Sequence, residues 1–517
     1  MTPPELPESA DVVIIGGGHN GLACAAYLAR GGREVVVLEA RGTMGGCAST
    51  VDAIGARVNI CNCDHTMVLA SGIVNDLDLA DHGLTYLDVD PVTVAVGWDG
   101  TSPPFIQWRS IERTIDGLAR VDPRAAAAYR AYLDVALPAA RLMLEVQRSR
   151  PGLPTIGAAA ARRGLRGSTT LLRWARSSVL EVMTGFGLPP WMIAAVATSG
   201  PAVWGLPPNA AGTGLAALGP AVRHLVGVGR PVGGSGALPA ALAAAAQAHG
   251  ARLITDARVG GLTVRGGRVL GVRLADGRSI AAPSVVAAVD PRTVLLDWLP
   301  DLPVDEPYRQ PPGEGYESKL DAVVTRLPEL RVLAELPEDV LPAAARGIAT
   351  ALVCPTPEQQ IAAADARARG EVSDPPMFLV NTPSVLDPTM RPDADTHLLS
   401  LEVLWTPYAL AKGWTDSAEP WSWLERLGEL CEPGLVDSVR DWRVVTPEDY
   451  ERDFGLARGY APSYPGSVVA TLLGRRRELS RYRTAVDGLY LTGAGTFPGA
   501  GVWGASGRNA AATVLSA

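Results

Sequence analysis

The 517-residue sequence predicts an α/β protein. One parallel sheet is assembled from distant parts of the chain, and a second layer of mixed strands and helices is threaded between them. Three observations predict this. Residues 11–40 read as strand, helix, strand; residues 238–295 return to strands after a long helical stretch; residues 488–517 read as strand, glycine-rich loop, helix. Hydrophobic residues make up 47% of the chain and charged residues 19%, which suits large dry cores and excludes a disordered chain. The net charge is −8 and no basic cluster stands out, so no nucleic-acid partner is expected. Six cysteines are too few for a disulfide framework, and no zinc-type spacing suggests a metal.

The elements follow in order. Val12-Val13-Ile14-Ile15 is a continuous apolar run, the pattern of a strand buried on both faces. Leu22 to Arg30 is Ala-rich at helical spacing, and Gly31-Gly32 stops it. Val35 to Leu38 is a second buried strand ending at Glu39. Helices are expected over Arg109–Arg120, Pro123–Arg148 and Thr170–Phe186. Leu238–His249 reads as a helix, followed by strands near Arg252–Leu262, Val269–Leu274 and Val285–Ala288, with hairpin turns at Gly266-Gly267 and Asp276-Gly277. Further strands are expected within 316–335, 377–405 and 441–447. Residues 1–10 have neither the basic nor the apolar region of a secretory signal. No apolar run reaches the ~18 residues of a spanning helix, since Pro189, Pro190, Ser199 and Pro201 interrupt Val182 to Leu206. A cytoplasmic protein is expected, with a peripheral membrane contact left open.

Gly16, Gly18 and Gly21 form G-x-G-x-x-G directly after the first strand. The first glycine permits the turn, the second lets backbone approach a pyrophosphate, and the third lets helix and strand pack closely. The helix N-terminus then offers free N–H groups and its positive dipole end. Glu39, at the end of the next strand, is placed to hold a ribose diol. A second glycine pair, Gly45-Gly46, suits the longer FAD better than a nicotinamide dinucleotide. The C-terminal run from Gly493 and Ala494 through Gly501, Val502 and Trp503 can supply backbone N–H groups to a flavin.

These segments resemble the phytoene-desaturase-like branch of FAD-dependent oxidoreductases, within the amine-oxidase superfamily. Gly233-Gly234-Ser235-Gly236-Ala237-Leu238, Asn381 to Pro388 and Gly493 to Ala512 match further elements of that branch, so the resemblance spans nearly the whole chain. It implies a Rossmann-type FAD-binding domain interleaved with a substrate domain of mixed β-sheet plus helices. The FAD-binding parts are expected at 1–105, 236–295 and 481–517, a mainly helical cap at 106–235, and the substrate domain at 296–480. The implied FAD contacts are Gly16, Gly18, Gly21, Glu39, Arg41, Gly45, Gly46, the Val259 backbone, Gly493, Ala494, Gly501, Val502 and Trp503. Many superfamily members carry Arg after the glycine pair; Cys47 stands there instead.

Four residues are candidates for the chemistry. In Asn59 to His65, Cys61, Cys63 and His65 read either as flavin link, redox pair or substrate contact, or as small buried groups; Asp64 and His65 are the better pocket residues. Lys319, one of only two lysines, lies on a strand where the resemblance implies a lysine holding water at the flavin. A solvated lysine on a sheet face is the plain alternative. Trp503 sits in the flavin loop, whereas Trp191, Trp204, Trp405 and Tyr408 read as core or tunnel wall. The expected function is removal of a hydride from an apolar or amphipathic small organic substrate, as in secondary metabolism, with O₂ or another acceptor reoxidising FAD. A flavin amine oxidase and a non-catalytic FAD-containing interaction protein are the alternatives.

Overall fold

The computed structural model describes residues 5–61, 64–148, 151–163, 165–303, 308, 313, 315, 317–342, 350–461 and 476–517. Five parallel strands form the nucleotide sheet in the order Leu489–Leu491, Ser284–Ala287, Val12–Ile15, Val35–Leu38, Arg252–Ile254. Three distant stretches of chain therefore meet in one sheet. The valine-rich strands are buried on both faces, as parallel strands under helices must be. Helices His19–Arg30, Ala237–Ala248 and Ala505–Leu515 cover one face. A three-stranded antiparallel sheet, Val259–Arg265, Arg268–Leu274 and Ser279–Ala281, covers the other. His19–Arg30 and Ala505–Leu515 approach so closely that a Cβ on Gly507 would lie 2.1 Å from the Asn20 carbonyl oxygen.

A seven-stranded mixed sheet makes the second layer. Its order is Val439–Val445, Glu317–Val324, His397–Leu404, Met377–Asn381, Thr350–Cys354, Thr93–Gly97, Phe105–Gln107. One face is apolar throughout its centre, with Leu320, Ala322, Phe378, Val380, Leu399, Leu401 and Val403 in one cluster. The opposite face is divided. Leu404, Met377, Leu379, Leu352 and Phe105 pack under the helical layer. Lys319, Asp321, Ser400, Glu402 and Asn381 form a buried polar row beside them, with half-buried Thr350 at its end, because registered partners share a face.

Two expectations are corrected. The helix expected over Thr170–Phe186 is two, Leu165–Trp174 and Val179–Gly185. Ser178 and Glu181 form a reciprocal capping box, which starts the second helix afresh. The strand expected over Arg252–Leu262 is also two, because the chain turns at Asp256, where φ is +53°. The Asp256 and Ala257 amides there donate to the carbonyls of Arg41 and Glu39. Thr93–Gly97 and Phe105–Gln107, which follow the first nucleotide-binding stretch, belong to the mixed sheet. No helix among the described residues is long and apolar enough to cross a membrane.

Candidate functional site: a nucleotide cradle facing a buried polar row

The three glycines after the first strand have different surroundings. Gly16 has φ +99°, and a Cβ there would press on the Ala288 carbonyl oxygen at 2.8 Å. A Cβ on Gly21 would lie 2.1 Å from the Gly16 carbonyl oxygen, so helix and turn touch. Gly18 is the opposite case: a Cβ would meet nothing within 4 Å. It is also the N-cap of His19–Arg30 and has no side-chain cap, so the first-turn N–H groups face open space. This cradle fits the pyrophosphate of FAD. Glu39 accepts from the Gly17 amide at 2.8 Å and the Arg41 amide at 3.0 Å, which fixes its carboxylate beside the loop. The Gly45 amide donates to the Gly17 carbonyl, joining the second glycine pair to the first loop. Arg41 Nη1 reaches the Gly46 carbonyl at 3.4 Å, and its guanidinium lies 4.4 Å from the Phe454 ring centre. Val259 begins a strand two residues after Ala257, whose amide bonds the Glu39 carbonyl.

The C-terminal loop closes over the same helix. Ser506 Oγ accepts from the Gly493 amide at 3.1 Å and bonds Thr492 and Thr496 hydroxyls at 2.8 and 2.5 Å. That hydroxyl cluster holds the loop containing Ala494 against the helix Ala505–Leu515. Trp503 folds onto the loop, its Nε1 2.7 Å from where a Gly501 Cβ would stand. His19 spans the gap. It hydrogen-bonds the Gly501 backbone, Asn20 Nδ2 donates to its Nε2 at 3.0 Å, and burial lowers its pKa to about 4. A neutral imidazole therefore sits between the two glycine-rich loops. Its position inside the glycine motif was visible in sequence, but its contact across the chain was not.

Residues 59–61 and 64–65 contact both the cradle side and the polar row; Asn62 and Cys63 lie outside the described residues. His65 is fully buried and shares hydrogen bonds with the Tyr86 and Ser235 hydroxyls, both at 2.9 Å. Burial lowers its pKa to about 3, with neighbouring His19 and Arg230 adding to the shift. Asp64 accepts from Arg230 Nε at 2.9 Å, and Arg230 also donates to Asn381 Oδ1 at 2.7 Å and to Thr350. The Cys61 thiol is hydrogen-bonded to Cys47, which together with burial raises its pKa well above the usual thiol value. Thus Cys61 pairs with the residue that replaces the family's Arg.

Lys319 is buried and donates to the Asn59 carbonyl at 2.6 Å, to Asp321 and to Ser400 Oγ at 3.3 Å. An ammonium has three N–H donors, and these three acceptors use them. No donor is left to hold a water at the flavin. Asp321 in turn accepts from Arg443 Nε at 3.0 Å and Ser400 Oγ at 2.5 Å. Lys319 is therefore neither a free base nor a solvated surface lysine: it clamps the mixed sheet to the segment leaving the cradle. Glu402, its register partner, is 2% exposed, and its Oε1 has no hydrogen-bond partner among the described residues. Burial pushes the Glu402 carboxyl well above the ordinary range, and does the same to Glu317 beside it.

His19, Cys61 and Arg223 lie deep in the protein, yet each keeps some exposed surface. His19 acts on buried His65, and Arg223 feels the charge of Asp64, so the partly open side chains of the cradle, of residues 59–61 and 64–65 and of the helical layer lie near one another. Trp405 is packing, its indole N–H bonded to the Ala202 carbonyl at 3.0 Å, and the Tyr408 hydroxyl donates to Glu451. Trp191 packs against Phe105, with ring centres 6.4 Å apart, and Trp204 approaches the Gly501 loop.

Comparisons with known proteins agree with this arrangement. Residues 14–73 match the family model of the NAD(P)-binding Rossmann-like domain, and residues 171–316 that of the flavin containing amine oxidoreductases. The chain is 31% identical to pyridine nucleotide-disulfide oxidoreductase domain-containing protein 2 of Rattus norvegicus, over 99% of this chain and 94% of that one. It is 28% identical to hydroxyneurosporene desaturase of Cereibacter sphaeroides, over 98% and 97% of the two chains. An oxidoreductase from Methanosarcina mazei shares the fold, with a TM-score of 0.62 at 16% identity, covering 98% of this chain and all of that one.

Proposed function

The chain belongs to the phytoene-desaturase-like branch of the flavin-containing amine oxidoreductase superfamily and uses FAD, and on that premise we propose that it takes a hydride from a carbon of an apolar or amphipathic small organic molecule. The observation that carries this reading is a nucleotide cradle beside the divided face of the mixed sheet, with His19, Cys61 and Arg223 partly open between them; we read the space they border as the substrate chamber. Bound FAD supplies the two-electron acceptor. The chain's part is to orient, to exclude water and to manage a proton. The Gly18 helix end and Glu39 hold the dinucleotide. The Lys319–Asp321–Arg443 clamp and the Arg230 bonds keep the polar row closed against segment 59–65. Glu402, its carboxyl pushed above the ordinary range by burial and its Oε1 without a partner among the described residues, can exchange a proton with a bound molecule. O₂ or another acceptor then completes the cycle. Five free thiols among the described residues go with a reducing, cytoplasmic setting.

Anaerobic incubation of the yellow holoprotein with apolar alcohols, alkenes and amines tests the reading. Bleaching of the flavin by an apolar alcohol or alkene is expected. Bleaching by amines alone, with H₂O₂ released on re-aeration, would mark an amine oxidase instead. A flavin that photoreduces but accepts electrons from none of these donors would leave the non-catalytic alternative.

A further inference from the structure

The helix Gly219–Val226 carries a cation that the fold does not neutralise. Its neighbours on that helix are settled: Ala221 and Val222 are core, and His224 Nε2 bonds the Tyr129 hydroxyl at 2.9 Å. Arg223 differs. Its hydrogen bonding is limited to Ser199 Oγ at 3.4 Å from Nη1, and no carboxylate lies at ion-pair distance among the described residues. Asp64 is the main source of attraction, but its carboxylate already accepts from Arg230 Nε. Tyr129 and Tyr132 stand close, and the Tyr132 hydroxyl donates to the Ala217 carbonyl. A guanidinium has five N–H donors and stays charged in proteins. A charge kept deep inside with most donors unused is costly unless something else pairs with it.

What surrounds it describes that partner. The layer that holds it is apolar: Met192, Ile193, Val196 and Ala197 of the helix Pro190–Ser199 belong to the same buried cluster as Ala221 and Val222, just before the arginine in its helix. We propose that Arg223 is the anchor for a carboxylate at one end of an otherwise apolar substrate, the planar fork of its guanidinium meeting both oxygens. This rests on the reading of the chamber as a substrate site and narrows the substrate to an amphipathic monoanion. The apolar body then lies along the helical layer, with its reacting carbon reaching toward the cradle.

Calorimetric titration of the holoprotein with decanoate and with decan-1-ol tests the proposal. Decanoate is expected to bind at least roughly tenfold more tightly, the scale of a charge-assisted hydrogen bond in a desolvated site. Arg223→Gln should erase that preference and Arg223→Lys should keep part of it. A second measurement needs no ligand: Arg223→Met should match or exceed the wild type in urea midpoint, because it removes an unpaired buried charge. Equal binding of the two probes, no binding of decanoate, a preference that survives Arg223→Gln, or a lowered midpoint in Arg223→Met would each overturn it. Flavin content and photoreduction, measured on the same samples, report separately on the oxidoreductase reading.

Discussion

Replacing Lys319 with Met separates a clamp from a catalyst. In the fold, the ammonium gives its three hydrogens to the Asn59 carbonyl, Asp321 and Ser400. Lys319→Met removes those bonds but leaves Asp321 paired with Arg443 Nε at 3.0 Å and with Ser400 at 2.5 Å. The remaining carboxylate keeps a counter-charge, and the thioether fills most of the vacated volume, so the cost should be about 1–3 kcal/mol. Asp321→Asn does the reverse. It leaves an ammonium that is 1% exposed without its nearest counter-charge, which costs about 3–5 kcal/mol. The asymmetry, about 2 kcal/mol in favour of the Lys319 variant, is the quantity to measure by urea unfolding of the holoprotein. Stopped-flow reoxidation of photoreduced flavin by O₂ supplies the second reading and needs no known substrate. Lys319→Met should retain FAD and reoxidise within about twofold of the wild-type rate, a barrier change below 1 kcal/mol. Reoxidation slowed by roughly tenfold or more, with stability unchanged, would refute the clamp and restore Lys319 as a catalytic group.

Two glycines of one motif should fail in opposite ways. At Gly18, where φ is −71° and a Cβ meets nothing within 4 Å, Gly18→Ala should fold normally yet lose FAD affinity, read by flavin fluorescence on dilution. At Gly21 the Cβ would stand 2.1 Å from the Gly16 carbonyl oxygen, so Gly21→Ala should lower stability by about 3 kcal/mol whether or not FAD is bound. His65 gives a pH dependence: its pKa falls from an ordinary 6.5 to about 3, so between those values the unfolded chain binds a proton that the folded chain does not. Its contribution is therefore complete above pH 6.5 and is lost as pH falls through that window, at up to ~1.4 kcal/mol per pH unit. His65→Gln should flatten the pH dependence of the urea midpoint over that range, and an unchanged slope would count against a buried neutral imidazole.

Much of the nucleotide half was legible in the sequence, because its determinants are local. Four consecutive apolar residues, three glycines at fixed spacing and one acid at the end of the next strand each act within about 25 residues, and the structure places them in one βαβ unit. The element boundaries that differ also have local causes that composition hides: a capping box at Ser178 and a left-handed residue at Asp256. The polar row was not legible, since its bonds join residues far apart in sequence. Arg230 meets Asp64 across 166 positions, and Lys319 meets the Asn59 carbonyl across 260. Nothing in a strand's alternation tells whether a lysine on its face meets water, flavin or carboxylate; that depends on which segment packs opposite. The sequence by itself determined the Rossmann-type cradle and FAD. Only the tertiary structure decided that Lys319 is spent on a clamp, that Glu402 keeps a free oxygen and that Arg223 keeps a free charge, because satisfaction of a buried polar group is a property of its neighbours.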